Sequence, residues 1–146
     1  MGHEKLRHRA RPVVPLALAG VGSALAAEEC SVATLKGTYL FAYQGFKIEG
    51  NNRVPGASAG FEVYDGQGNV SAISTTSING KIDRNVRAEG EYVVNADCTS
   101  TSTYSDGTRY DSFLAPDGST FVFVQTNPGT VAAGFEPRAM AQRVGD

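Results

Sequence analysis

The turn signals of this chain constrain its fold more than any other feature. Pairs of the Asn-Gly or Asp-Gly type recur at roughly ten-residue intervals, which is the spacing of a β-meander. These residues supply the positive φ angles that tight β-hairpins need. The turns lie at Asp65–Gly68, Asn79–Gly80, Asp106–Gly107, Pro116–Gly118 and Asn127–Gly129. The segments between them are short runs of β-branched and aromatic residues without a helical apolar period, and this pattern predicts antiparallel strands.

Eight strands follow from the positions of these turns. They are Gly37–Ile48, Ala57–Asp65, Asn69–Ile78, Lys81–Ala96, Thr99–Ser105, Thr108–Ala115, Ser119–Thr126 and Thr130–Arg138. Gly90 predicts a bend within the fourth strand, and a turn at Gly90 would give nine segments instead. The segment Glu49–Gly56, which contains Pro55, is predicted to be the one long loop.

The connections between the strands favour a closed barrel. All of them are local, and none is the long crossover that a Greek-key sandwich requires. Closure also removes the unpaired edges that an open meander would expose. We therefore expect one all-β domain, an eight-stranded antiparallel up-and-down β-barrel, whose interior holds side chains or one small ligand.

The first 27 residues have the pattern of a signal peptide. A basic segment with Lys5, Arg7 and Arg9 precedes the apolar run 13–25, and small residues at 24, 26 and 27 form a cleavage signal. We expect cleavage after Ala26 or Ala27 and a mature domain of residues 28–146, exported to the periplasm or the extracellular space without membrane attachment. The alternative is that the segment is retained as a membrane anchor.

Removal of this leader would change the chemistry that is open to the chain. It leaves 9 basic and 14 acidic side chains, and this negative balance argues against nucleic acid as a partner. Both histidines, His3 and His8, lie in the leader. The mature chain therefore lacks the residue needed for a Ser-His-Asp relay and for the usual zinc sites. We expect neither a metal nor a cofactor.

Two cysteines, Cys30 and Cys98, remain in the predicted mature domain. An even number of cysteines in an exported chain favours a disulfide. A bridge between them would close a loop of nearly 70 residues and stabilise the fold by about 4 kcal/mol in the loop-entropy model. Two free thiols or a metal-binding cysteine pair are the alternatives.

Aromatic and charged side chains on the strands are the candidates for a ligand site. We predict that the site is lined by Phe41, Phe61, Tyr92, Tyr110 and Phe123, with Arg87 as the anchor for an acidic group. The strands also carry Glu62, Glu91 and Asp111, and an acid that faced a dry interior would have a raised pKa and be suited to proton transfer. No residue is assigned as catalytic.

Two sets of residues resemble known proteins. Gly37-Thr38-Tyr39 on the first strand, with Arg138 at the end of the last, resembles the lipocalin/calycin arrangement, although Tyr39 replaces its tryptophan. This resemblance implies that Tyr39 and Arg138 are structural and close one barrel end by stacking. The longer pieces Tyr64–Val70 and Gly90–Thr99 are similar to small secreted bacterial proteins. The shape also resembles allene-oxide-cyclase-like barrels, some of which are cyclases, but no catalytic motif is matched.

Three functions follow as expectations. The first is binding of a small apolar or amphipathic ligand in the barrel, the second is a cyclase or isomerase, and the third is a structural or surface-interaction protein with a filled core. An interior cavity larger than about 300 Å³ would favour the first two. Several strands are apolar on both faces, so we also expect the outside to be partly covered, either by a subunit partner in a homo-oligomer or by the N-terminal segment.

Overall fold

The computed structural model describes residues 29–140, which form eight antiparallel strands closed into one barrel. Each strand pairs with the next along the chain, and the last strand closes the barrel by pairing with the first. The strands are β1 (Lys36–Glu49), β2 (Asn52–Asp65), β3 (Asn69–Ile78), β4 (Lys81–Val94), β5 (Thr99–Tyr104), β6 (Arg109–Leu114), β7 (Thr120–Gln125) and β8 (Thr130–Pro137). The predicted all-β, up-and-down barrel is confirmed, whereas the predicted leader lies outside the described residues.

The predicted long loop Glu49–Gly56 is wrong, because β2 begins at Asn52 and a tight turn joins it to β1. Pro55 lies inside this strand without breaking it. Its carbonyl accepts a hydrogen bond from the amide of Asn79, so its nitrogen points to the same side of β2. The pairing between β2 and β3 ends at Gly56 and Ile78, and the absent N–H of Pro55 therefore costs no ladder bond.

The fourth strand is continuous through Gly90, as predicted. A Cβ added at Gly90 would lie 2.6 Å from the carbonyl oxygen of Thr103, so the neighbouring strand approaches too closely for a side chain. The irregularity in β4 lies elsewhere, where the register with β3 shifts between Ser74 and Thr76. Asn85 lies in this shifted part of β4 with a φ of 57°, a conformation typical of a bulge.

One end of the barrel is closed by the segment that precedes β1. This segment includes a single 3₁₀ turn, Val32–Thr34, and Leu35 is completely buried. The hydroxyl of Tyr92 donates to the carbonyls of Leu35 at 2.8 Å and Val32 at 3.0 Å. The predicted disulfide is confirmed: it joins Cys30 to Cys98, in the turn between β4 and β5. The closing segment is thus attached to the barrel at both of its ends.

Tyr39 and Arg138 meet at the same closed end. Tyr39 is completely buried, and its hydroxyl donates to the carbonyl of Gly118 at 2.6 Å. The Nη2 atom of Arg138 donates to the Tyr39 hydroxyl at 2.9 Å and to the carbonyl of Thr34 at 3.1 Å. The guanidinium carbon lies 5.4 Å from the centre of the Tyr39 ring. This is the kind of arrangement that the calycin resemblance implies.

The outer face of the barrel carries a row of exposed apolar side chains. Phe113, Val122 and Phe135 lie opposite one another on β6, β7 and β8, and each is about half exposed. On the other side of β8, Ala42 of β1 lies opposite Phe135. These residues belong to the apolar outer surface of the barrel, which the sequence predicts to be partly covered. The homo-oligomer itself stays a prediction.

Candidate functional site

The barrel interior contains a cavity of about 150 Å³ with aromatic walls. Three strands contribute aromatic rings to it: β1 with Phe41 and Tyr43, β6 with Tyr110, and β7 with Phe123. The rings of Tyr110 and Phe123 are 5.2 Å apart and nearly perpendicular, and those of Tyr43 and Phe123 are 5.9 Å apart with the same geometry. Edge-to-face contacts of this kind hold aromatic side chains in defined positions. The wall is therefore preorganised.

A pair of buried glutamates lies in the same cavity. Glu62 on β2 is 8 % exposed, and Glu136 on β8 is 4 % exposed. Two tyrosine hydroxyls donate to Glu62, Tyr104 to Oε1 at 2.5 Å and Tyr64 to Oε2 at 2.6 Å. The Oε2 atom of Glu136 is buried and has no hydrogen-bond partner among the described residues. One glutamate is thus held by two donors, and the other presents a free acceptor.

The strand alternation brings both glutamates inside. On β2, Phe61 and Val63 face outward and are 39 % and 40 % exposed, so Glu62 between them faces inward. On β8, the outward position of Phe135 directs the next residue, Glu136, into the barrel. Both strands pair with β1, one on each side of it. This topology places residues 74 positions apart in the chain within one cavity.

Burial sets the protonation of the pair. Burial raises the pKa of Glu136 from 4.5 to about 10, and the negative charge of Glu62 adds to the rise. Burial also raises the pKa of Glu62, and the hydrogen bonds that Tyr104 and Tyr64 donate oppose that rise. Glu136 is therefore the protonated member at neutral pH. Glu62 is the member whose two tyrosine donors limit the rise of its pKa.

No positively charged side chain of residues 29–140 lines this cavity. The two ion pairs found in the same range, Lys47–Glu49 and Lys81–Asp83, lie at exposed ends of hairpin strands. Across the described part of the chain, no group of three or more His, Cys, Asp or Glu is placed to hold a metal ion. The carboxyl pair therefore has neither a protein counter-ion nor a set of metal ligands beside it.

The cavity leads towards the open end of the barrel. Thr76, Asp106 and Thr108 line it there, close to the hairpin tips. A second cavity of about 330 Å³ continues between the long strands β1 and β2 and the ends of β7 and β8. The two cavities share Tyr43, Ser58 and Thr76 as lining residues. The inner space alone is below the usual range for ligand sites, but the adjoining mouth falls within it.

The structure divides the six predicted ligand residues into three groups. Phe41, Tyr110 and Phe123 line the inner cavity. Tyr92 also points inward, but it packs at the closed end against the segment before β1. The placement of the other two was wrong: Phe61 and Arg87 lie opposite Ile73 on the outer face and are exposed. Arg87 is therefore not positioned to anchor an acidic group in the barrel.

Sequence reasoning missed the role of Glu136 and noted Glu62 only as one of several strand acids. The apolar residues Val131 and Phe135 on β8 suggest a core face, yet they are about half exposed. One signal was available in the chain. Glu62 alternates with Tyr64, and Glu136 alternates with Arg138, so each acid shares a strand face with a residue of the closed end.

Comparison with known proteins adds no relative to this description. No family model, no curated protein and no solved structure matches the chain. Among residues 29–140, no helix has the length and apolar character needed to cross a membrane. The fold and the site define the class: a disulfide-bonded, eight-stranded up-and-down β-barrel with a buried carboxyl pair in its interior.

Proposed function

We propose that this protein binds a small amphipathic molecule, which enters through the open end of the barrel. The observation that carries the proposal is the unpartnered Oε2 atom of Glu136 in an aromatic-walled cavity. A buried acceptor without a donor costs about 1–3 kcal/mol, and a ligand donor would recover that cost. The apolar part of the ligand would lie between Phe41, Tyr110 and Phe123, which supply a preformed apolar surface.

Native mass spectrometry of the purified protein tests this proposal, because it detects a co-purified small molecule directly. The matched variants are Ala88→Trp, which would fill the inner cavity, and Ala133→Trp, which adds the same bulk to the outer face. We expect wild type and Ala133→Trp to carry the same small molecule, and Ala88→Trp to be free of it. A ligand retained by Ala88→Trp, or found in none of the three, would contradict binding in the barrel.

A second function, an isomerase or cyclase, is favoured by the protonated state of Glu136. A neutral carboxylic acid in a dry, apolar-walled cavity is suited to donate a proton to a bound carbonyl or double bond. Glu62 would take a proton from another position of the same substrate, so that no net proton is gained or lost. Incubation of the recovered ligand with the protein in D₂O tests this candidate. Deuterium at a carbon atom supports it, and an unlabelled ligand contradicts it.

We also propose that the protein is exported. The Cys30–Cys98 disulfide supports this, since such bonds persist mainly in oxidising compartments. Fractionation of expressing cells, followed by intact-mass measurement, checks the proposal. We expect the protein outside the cytoplasm, shortened by the predicted leader of residues 1–27. Full-length protein confined to the cytoplasm would contradict it.

A relationship to calycin barrels is a further part of the proposal. It is supported by the contact between Tyr39 and Arg138 at the closed end, which uses an aromatic residue of β1 and a basic residue that follows β8. The guanidinium group of Arg138 donates hydrogen bonds to both the Tyr39 hydroxyl and the Thr34 carbonyl. Replacing Arg138 by Lys would keep the charge but lose one of these two hydrogen bonds. We expect a loss of stability without a loss of ligand, because Arg138 does not line the cavity.

A further inference from the structure

Among residues 29–140, no positively charged side chain lines the inner cavity that holds the carboxyl pair, and this decides the sign of the ligand that would suit it. Glu62 and Glu136 are both more than nine-tenths buried. No Lys or Arg within residues 29–140 lines their cavity. A buried carboxylate without a counter-ion is unfavourable even when hydroxyl groups donate to it, and a cation beside it relieves the cost. An anionic ligand would be repelled, so the site favours a cation.

The surrounding side chains favour an organic ammonium ion over other cations. An ammonium group donates three hydrogen bonds. The free Oε2 atom of Glu136 can accept one of them, and the hydroxyls of Ser58 and Ser112 line the same cavity. Aromatic rings attract cations by about 0.5–2 kcal/mol, and Tyr110 and Phe123 line this cavity. The described residues do not offer the three or more ligands of a metal site.

The volume of the inner cavity limits the group that the ammonium carries. A cavity of about 150 Å³ is the size that accepts a benzene ring in an apolar protein core. A single ring or a short branched chain therefore fits beside the glutamates. Anything longer must extend past Tyr43 into the mouth, whose volume is about 330 Å³.

We propose that the cavity binds a small primary amine in its ammonium form, with the nitrogen at the Glu62–Glu136 pair and a ring-sized apolar group between the aromatic walls. This inference rests on the proposed function and specifies the class of its ligand. The ammonium offsets negative charge on the buried carboxyl pair, which has no positively charged side chain in its cavity. Its N–H groups satisfy the free oxygen of Glu136.

Isothermal titration of the purified protein at pH 8 with matched aryl probes tests the inference. Benzylamine, benzyl alcohol, toluene and benzoate share one ring and differ in the group that would meet the glutamates. We expect benzylamine to bind roughly 10- to 100-fold more tightly than benzyl alcohol, the factor for a hydrogen bond to a charged group, and benzoate not to bind. Equal affinity for benzylamine and benzyl alcohol would overturn the amine inference but leave barrel binding intact. If no probe binds, toluene included, both proposals fail.

Variants then identify the residues responsible for the preference for benzylamine over benzyl alcohol. In Glu62→Gln/Glu136→Gln the cavity keeps its shape but loses both titratable groups, and Glu89→Gln makes the same change on the exposed outer face. We expect the preference for benzylamine over benzyl alcohol to fall to about one in the double variant and to be unchanged in Glu89→Gln. A preference that survives in the double variant would overturn the assignment. Unchanged toluene binding shows that the variant cavity is intact.

A measurement on the wild-type protein covers the case in which the double variant fails to fold. In protein labelled with ¹³C at the glutamate carboxyl groups, the signals of the buried pair report contact with the ligand directly. We expect benzylamine to move the signals of Glu62 and Glu136 but not that of Glu89, and benzyl alcohol to move them much less. Signals of the buried pair that do not respond to benzylamine would overturn the inference.

Discussion

The substitution Glu136→Gln tests the energetic description of the interior. Burial keeps Glu136 protonated in the folded protein up to a pKa of about 10, whereas an exposed glutamate loses its proton near 4.5. Between these values the folded state binds one proton more than the unfolded state. The free energy of unfolding must therefore fall as the pH rises, by about 1.4 kcal/mol per pH unit. Below pH 4.5 the contribution of Glu136 is fully present, and it is lost as the pH approaches 10.

Glutamine has nearly the same shape as protonated glutamate but cannot ionise in either state. Glu136→Gln should therefore remove this part of the pH dependence. From pH 6 to pH 8 the wild-type protein should lose about 3 kcal/mol relative to the variant, or roughly 10 °C in melting temperature. Asp65, Asp97 and Asp117, whose pKa values are lowered by local hydrogen bonds, act below this window.

Equilibrium unfolding in guanidinium chloride at pH 6, 7 and 8 measures the effect. The chain contains six tyrosines and no tryptophan, so circular dichroism is the more suitable signal. Taking the difference between variant and wild type cancels the contributions of groups that do not interact with Glu136. Glu89→Gln, on the outer face, serves as the control and should follow the wild type. Equal pH dependence in wild type and Glu136→Gln would refute the reasoning.

Three further substitutions test the remaining contacts. Tyr104→Phe removes the 2.5 Å hydrogen bond to Glu62 and should lower the free energy of unfolding by about 1.5–3 kcal/mol at pH 8. A loss below about 0.5 kcal/mol in the same unfolding assay would contradict the contact. Replacing Cys30 and Cys98 by Ala removes the disulfide between two residues that are 68 positions apart, and it should lower the free energy of unfolding by about 4 kcal/mol. An unchanged denaturation midpoint would contradict this stabilisation. Gly134→Ala places a methyl group 2.5 Å from the Phe123 ring and should cost about 1–3 kcal/mol, whereas a gain in melting temperature would show that the cavity wall is not tightly packed.

Local chemistry made much of the fold predictable. Gly66, Gly80, Gly107, Gly118 and Gly129 all have positive φ in the structure, and the sequence places a turn at each of them. Apart from the start of β2, the observed strand ends lie within two residues of the predicted ones. The Glu49–Gly56 prediction is wrong because Pro55 and two asparagines, which are common in loops, lie here in a tight turn and in the first residues of β2. Only the pairing with β3 shows that the nitrogen of Pro55 lies just beyond the last paired residues, where no N–H is needed for a ladder hydrogen bond.

The candidate site was much less predictable from the sequence. Of the predicted lining residues, Phe41, Tyr110 and Phe123 face the interior, whereas Phe61 lies on the outer face. On β2 and β8 the large apolar residues lie outside and the acids lie inside, which is the reverse of the usual alternation for a buried core. Periodicity shows which residues share a face, but not which of the two faces is enclosed.

The sequence by itself determined the number of strands, the positions of their turns and the pair of cysteines available for a bridge, because each depends on residues close together in the chain or on a simple count. The tertiary structure alone decided which face became the interior. Closure of β8 onto β1 brings Glu136 beside Glu62, and the hydroxyls of Tyr64 and Tyr104 complete the pair. The protonation of these glutamates depends on burial and mutual repulsion, and neither exists until distant strands meet.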